Sequence, residues 1–392
     1  MKKKLLFING HLEAGGCERS LVDLLQHLDY SRYDVDLLLL EGLGDYAEEV
    51  PKDVHVKLFS LNYAFGIFGE CLRRARKNKD WFSLKFRLIY SLSAILGKPI
   101  LSLSRGLFSS CASSYDAVIA FRQGICTDMA AYVFRGKKKI SWWHHGEYIY
   151  DSRQTEQINR AFERVDAVVT VSKYCARLIQ ENLPHAEGKT HVIPNMVCID
   201  RIIEKSGQPC EPSFPDAKLK IISVARFSPE KNIPLCVRVA SMLRDRDISF
   251  SWILIGDGEC YSDIQKAVAE NDLADRVLLV GRKANPFPWI NAADVMVHPS
   301  LVESQGISIL EAMALSKPVI AVQSSGPMEY VENGKNGFLT EANASSIVTL
   351  IQMLIDDPDM AKAVSIQAKA TAACFSPEQI IQKLEKELRL SV

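Results

Sequence analysis

Short apolar runs alternate along this chain with segments whose apolar residues recur every three or four positions. In the first half the runs fall at 5–9, 35–40, 54–58, 117–121, 139–143, 167–171 and 191–193. Residues 20–28 carry Leu21, Leu24, Leu25 and Leu28 on one helical face. A second series follows at 220–224, 251–255, 276–280, 294–297 and 318–322. Near-continuous apolar runs separated by helices predict parallel strands covered on both faces. The pattern therefore predicts an α/β protein with two open parallel sheets in tandem and a cleft between them; if the sheets face each other, as two Rossmann-like, doubly wound domains would, both sets of loops line that cleft. Ligands of such sheets bind beyond the carboxyl ends of the strands, so chemistry is expected on loops that follow strands.

The break between the two series sets the domain boundaries. Periodicity fades after Asn195, and residues 206–215 are rich in Pro, Gly and Ser. The expected division is residues 1–195, a linker over 196–218, a second domain over 219–375, and a last helix. That helix reads as 377–390, and residues 376–392 are expected to pack back toward the first domain. One stretch departs from the alternation. Residues 65–110 carry Arg73, Arg74, Arg76, Lys77, Lys79, Lys85, Arg87, Lys98 and Arg105 against only Glu70 and Asp80. Aromatics are interleaved among them, which reads as a basic amphipathic helix able to lie on an anionic membrane face. A helical hairpin with a solvated basic side is the plainer alternative.

Composition narrows the classes. A chain of 392 residues exceeds one ordinary core. Its Lys+Arg and Asp+Glu totals are both 47, so no strong overall charge favours nucleic acid as a partner. Ten scattered cysteines without a Cys-x-x-Cys pair point to reduced thiols and a cytosolic setting, and no metal-ligand spacing is present. The apolar run after Met1 ends at Asn9, too short for a signal peptide, and no run reaches membrane-spanning length.

The segment 303–311 is the strongest chemical signal. Glu303 and Glu311 stand eight residues apart around Gly306 and Ile307. The preceding residues 293–300 read as a buried strand and a loop, so Gly306 and Ile307 are expected at a helix start. Free amides there attract phosphate oxygens, while the flanking carboxylates accept hydrogen bonds from sugar hydroxyls. Arg226 and Lys231 follow the first strand of the second series, where two cations can clamp a diphosphate. Gly15 and Gly16 follow the first strand of the chain. Gly256 and Asp257, and Arg282 after Gly281, follow later strands. His144 and His145 end another strand, and adjacent histidines point different ways.

These residues in this order resemble the retaining glycosyltransferases of family 4, which have the two-domain GT-B fold. The resemblance covers nearly the whole chain and is weakest over 66–110. It implies transfer of a sugar from a nucleotide diphosphate donor, a UDP-sugar being favoured, with retention of configuration and without a metal or other cofactor. By carry-over, Arg226 and Lys231 bind the diphosphate and stabilise the leaving group. Glu303 contacts sugar hydroxyls, and Glu311 the ribose. Gly306 and Ile307 offer amides, Gly16 lets the first domain close on the donor, and His145 lies near the donor sugar. Gln305 stands where the family commonly has an aromatic, which bears on the identity of the donor sugar. The expected acceptor is a glycan or lipid-linked glycan in bacterial surface polysaccharide synthesis, and the expected place is the inner face of the cell membrane. Two alternatives are an epimerase or hydrolase on the same fold and a non-catalytic membrane-docked scaffold.

Overall fold

A computed structural model of the chain describes residues 2–61, 64–65, 67–111 and 114–388. The parts of the expected segments 1–195, 65–110 and 376–392 that fall on Met1, Asn62, Tyr63, Gly66, Ala112, Ser113 and 389–392 lie outside the described residues. Two compact units are formed, Met1–Pro194 with Ile380–Val392, and Asn195–Gln379.

The first unit holds seven parallel strands: β1 (Lys3–Asn9), β2 (Tyr33–Leu39), β3 (Val54–Leu58), β4 (Tyr115–Ala120), β5 (Gly136–Trp143), β6 (Ala167–Thr170) and β7 (Thr190–Val192). Their spatial order is β3-β2-β1-β4-β5-β6-β7. Leu5 to Asn9 are buried without a break, because helices cover both faces of the sheet. The helix α1 (Gly16–Gln26) follows β1 and turns Leu21, Leu24 and Leu25 inward, the stripe that the spacing predicts.

The second unit holds six: β8 (Leu219–Val224), β9 (Phe250–Ile255), β10 (Val277–Leu279), β11 (Val295–His298), β12 (Val319–Val322) and β13 (Phe338–Thr340). Their order is β10-β9-β8-β11-β12-β13, all parallel. In each unit the order reverses once, between β1 and β4 and between β8 and β11. Such reversals splay the flanking loops apart and open a crevice at the carboxyl edge. The short strand β13 escaped the sequence reading, because three residues show no alternation.

Two expectations need correction. Residues 196–218 are not wholly linker: Ile199–Ser206 is a helix whose Ile202 is buried in the core of the second unit. Its few apolar positions were too sparse to register as periodic. Residues 65–110 are not one amphipathic helix. They form α2 (Phe68–Lys77), α3 (Trp81–Leu96) and an irregular helical stretch Lys98–Phe108. Asp80 accepts a hydrogen bond from the Ser83 amide and so starts a new helix at Trp81. In the final helix, Pro377–Glu387, Glu385 accepts hydrogen bonds from Arg32 (2.8 Å) and Tyr33 (2.9 Å) of the first unit.

Candidate active site

The reversal between β8 and β11 brings two loops together. The loop after β8 runs through Arg226 and a 3-10 turn, Pro229–Lys231. The loop after β11 runs from Pro299 to Gly306. The Leu301 amide donates to Glu230 O (2.9 Å), and Asn232 Nδ2 to Pro299 O (3.4 Å). Asn232 adopts a left-handed backbone, φ 49°, which asparagine tolerates and which turns the chain into the next helix.

Three side chains converge across this seam. Lys231 Nζ donates to Glu303 Oε1 (2.8 Å) and to Val302 O (2.9 Å). His298, the last residue of β11, lies 2.8 Å from the same Oε1 through its Nε2. A carboxylate only accepts, so Nε2 carries the hydrogen. Nδ1 of His298 is buried without a partner among the described residues. Burial alone would raise the Glu303 carboxyl. The hydrogen bond and electrostatic attraction of His298, then those of Lys231, outweigh it and hold the group at about 2. Glu303 is thus a fixed anion at neutral pH. All hydrogen bonds it takes among the described residues fall on Oε1, and an ammonium has three donors of which two are used. One oxygen and one N–H remain for a ligand.

Arg226 differs from Lys231. Its flanks are pinned, with Ala225 N on Ile255 O (3.1 Å) and Phe227 N on Asp257 O (2.9 Å). Its side chain is exposed and has no ion pair among the described residues. The guanidinium is therefore presented at the carboxyl edge of the sheet. Of the expected clamp, one cation is uncommitted and one is shared with Glu303.

Gly306 caps the helix Ile307–Ala314 with φ 82°, a conformation that favours glycine. The first intrahelical bonds to its carbonyl come from Ile309 (3.1 Å) and Leu310 (3.3 Å), so the amides of Ile307 and Ser308 are without backbone partners among the described residues, as is usual at a helix start. Glu311 sits in the second turn of this helix and is half-buried. The sequence reading placed Gly306, Ile307 and Glu311 on these elements.

Several supports were missed. Gln305 is buried; its side chain accepts from Asn195 N (2.7 Å) and donates to Asn195 O (3.0 Å). It staples the loop to the backbone, a supporting role that the departure from the family's aromatic did not reveal. Tyr330 OH donates to Gln305 O (2.9 Å). Gly326 bonds through its amide to Glu303 O (3.0 Å), and a Cβ there would lie 2.7 Å from Gln305 backbone. Only tertiary contact distinguishes these positions. His298 left a trace, since it ends an apolar run five residues before Glu303.

Gly256 has a structural task. A Cβ on it would stand 1.9 Å from Ala225 O, so the glycine permits the loops after β8 and β9 to interlock. Asp257 caps its own turn, its Oδ1 accepting from Gly258 N (2.8 Å). Arg282 is exposed on the loop after β10.

In the first unit the reversal lies between β1 and β4. Gly15 is extended, φ −168°, and a Cβ there would meet Glu18 Oε2 at 2.5 Å. Gly16 begins α1 and its carbonyl accepts from Ser20 Oγ (2.7 Å). Across the reversal, Arg122 NH1 lies 3.1 Å from His11 Nε2 and 3.8 Å from Glu18 Oε1. The two histidines after β5 diverge. His144 packs its ring 5.0 Å from Phe121, and burial drives its pKa down to about 3, leaving it neutral. His145 is exposed, and its carbonyl accepts from Trp143 Nε1 (3.0 Å). Among the described residues no three metal-binding side chains cluster, and all ten cysteines are free.

Two parallel-sheet Rossmann-like units, each with its loops at the carboxyl edge, define the GT-B fold. Residues 14–201 match the model of glycosyltransferase family 4, and residues 208–371 that of the group 1 glycosyl transferases. The chain is a GT-B protein of the family 4 glycosyltransferase type. An uncharacterised glycosyltransferase of Haemophilus influenzae is 23% identical over 98% of this chain and 99% of its own length. One from Methanocaldococcus jannaschii is 30% identical over 56% of this chain and 58% of its own. The chain spans about six tenths of the length of the archaeal relatives it matches. In fold, the chain is similar to Anabaena HepE, solved with UDP and glucose, with a TM-score of 0.74, 20% identity and 99% coverage of both chains.

Proposed function

We propose that this protein transfers a sugar from a nucleoside diphosphate donor, with UDP-sugar favoured, to a glycan or lipid-linked acceptor. The observation that carries the reading is the Lys231–Glu303–His298 group at the β8/β11 reversal, with Arg226 presented on the same loop as Lys231. Breaking the anomeric bond builds negative charge on the departing nucleotide and positive charge on the sugar. Fixed cations beside the first act as electrostatic catalysts. Arg226 and the remaining N–H of Lys231 suit that task, and they let the reaction proceed without a divalent ion. The amides of Ile307 and Ser308 suit a phosphate oxygen. The open oxygen of Glu303 suits a sugar hydroxyl, and Glu311 the ribose. Gly15, Gly16, Gly256 and Asp257 are read as donor contacts, Arg282 as a cover for the nucleobase, and His145 as a catalytic group near the donor sugar.

Retention follows from a front-face route. The C1–O bond to the diphosphate breaks as the acceptor oxygen bonds to C1 on the same face, and the departing phosphate oxygen takes the acceptor proton. No protein nucleophile is needed. UDP is favoured because the similar HepE fold was solved with that nucleotide. The product is read as bacterial surface polysaccharide, made on the cytoplasmic face of the membrane.

Thermal denaturation with UDP-, GDP- and ADP-sugars tests the donor, since only a bound donor raises Tm. NMR of the product anomer tests retention. Release of free sugar or an epimerised donor without transfer would replace this reading with the hydrolase or epimerase one.

A further inference from the structure

The exterior of the α2–α3 hairpin is apolar where a surface helix is ordinarily polar. On α3, Phe86 is fully buried, and Ser83 and Ser93 face inward with it. Trp81, Leu88, Leu92 and Ile95 recur at helical spacing on the opposite side, with Lys85 among them. Trp81 is 61% exposed, Leu92 46% and Ile95 79%. Leu96 and Leu103 extend the patch. Nine of the eighteen large apolar side chains exposed among the described residues fall between Phe65 and Leu103. An exposed apolar stripe of this length ordinarily meets a partner surface, and nothing among the described residues of the unit covers this side.

Charge specifies the cover. Lys98 is spent on Asp128, and Arg105 on Val133 O. Arg73, Arg74, Arg76, Lys77, Lys79 and Lys85 are exposed, and the only acidic residues of the hairpin are Glu70 and Asp80. Four of these cations, Arg73, Arg74, Arg76 and Lys77, lie on α2, Lys79 lies between the helices, and Lys85 lies within the apolar stripe of α3. A row of apolar side chains about 21 Å long, with six cations in and beside it, complements the boundary between anionic headgroups and acyl chains. A tryptophan at one end suits the headgroup level.

We propose that α3 lies in the interface of an anionic bilayer, with Leu88, Leu92 and Ile95 inserted and the α2 cations on the headgroups. No helix among the described residues is long and apolar enough to cross a membrane, so the contact is peripheral. The proposal deepens the reading of a lipid-linked acceptor and rests on that reading only for its purpose.

The chain carries its own probe. Trp142, Trp143, Trp252 and Trp289 are buried, so Trp81 is the one exposed tryptophan. Full-length protein is mixed with phosphatidylcholine vesicles with and without phosphatidylglycerol, and flotation and tryptophan emission are read. Binding with a blue shift is expected only with phosphatidylglycerol, and the shift is lost in Trp81→Phe. Leu92→Glu with Ile95→Glu is expected to weaken partition by about tenfold or more, with Tm unchanged because both positions are exposed. Arg74→Glu with Lys77→Glu is expected to weaken it most at low salt. Equal binding to both vesicles, no binding, or partition unchanged by the two glutamates on α3 would overturn the proposal. So would a dimer in sedimentation that those glutamates dissociate, since a second copy would then be the cover. Transfer to a soluble acceptor by the same variants keeps a failed docking surface distinct from a failed donor site.

Discussion

Lys231 and Glu303 are joined by a 2.8 Å ion pair although 72 residues separate them. The pair bridges the loops after β8 and β11, and His298 completes it from the strand end. Beyond the phosphate contact proposed for it, Lys231 helps to fix the carboxylate that the proposed mechanism needs. Truncation of either residue removes one of the other's two partners, leaving Glu303 on His298 or Lys231 on Val302 O.

Transfer should fall by more than about tenfold in Lys231→Ala and in Glu303→Gln. Steady-state kinetics with a donor that raises Tm, alongside circular dichroism, checks this. Folded variants with near-normal turnover would remove the pair from the site. Arg226→Ala should depress donor affinity with little change in Tm, since its exposed side chain supports no packing.

Acid stability carries the mark of Glu303. The folded carboxyl stands at about 2 against an ordinary 4.5. A depressed folded pKa means stability present above about pH 4.5 and lost as pH falls toward about 2, worth about 3 kcal/mol in total. Denaturant titrations over that window should show a shallower decline for Glu303→Gln than for the wild type. Identical slopes would contradict the assignment.

Gln305 is expected to act on stability rather than on choice of sugar. Gln305→Ala leaves Asn195 N and O without their partners, at a cost of about 2 kcal/mol. Tm should drop while the ranking of donor sugars stays as it was. A changed ranking with unchanged Tm would return Gln305 to the binding surface.

Gly326→Ala tests the support behind the glutamate loop. The backbone conformation, φ −67°, suits alanine, so the effect is steric alone. The methyl group would crowd Gln305 backbone, costing about 2 kcal/mol and weakening donor affinity through Glu303. Crystallography or donor titration of the variant reads the displacement.

Much of the fold was open to reading because parallel strands buried on both faces leave continuous apolar runs, as at Leu5–Asn9 and at Val295–His298. Residues that end such runs inherit a place at the carboxyl edge, so Arg226, Glu303 and Gly306 could be nominated from position and chemistry. The hairpin at 65–110 shows where that reading runs out. Its cations and apolar residues alternate too closely for sequence to say which helix carries which, and Asp80 divides them by a single capping bond.

The order of residues determined the alternation of strands and helices, the glycine at the start of Ile307–Ala314, and the presence of cations and carboxylates on loops after strands. These depend on neighbours within a few positions. Tertiary structure decided that Lys231 shares Glu303 with His298, that Gln305 serves Asn195, and that Gly326 makes room for the loop. Such partners lie tens of residues apart or more, except for His298: the adjacency of β8 and β11 brings Lys231 to Glu303, while Asn195, ahead of Ile199–Ser206, and Gly326, on the loop after β12, reach the same loop from other elements.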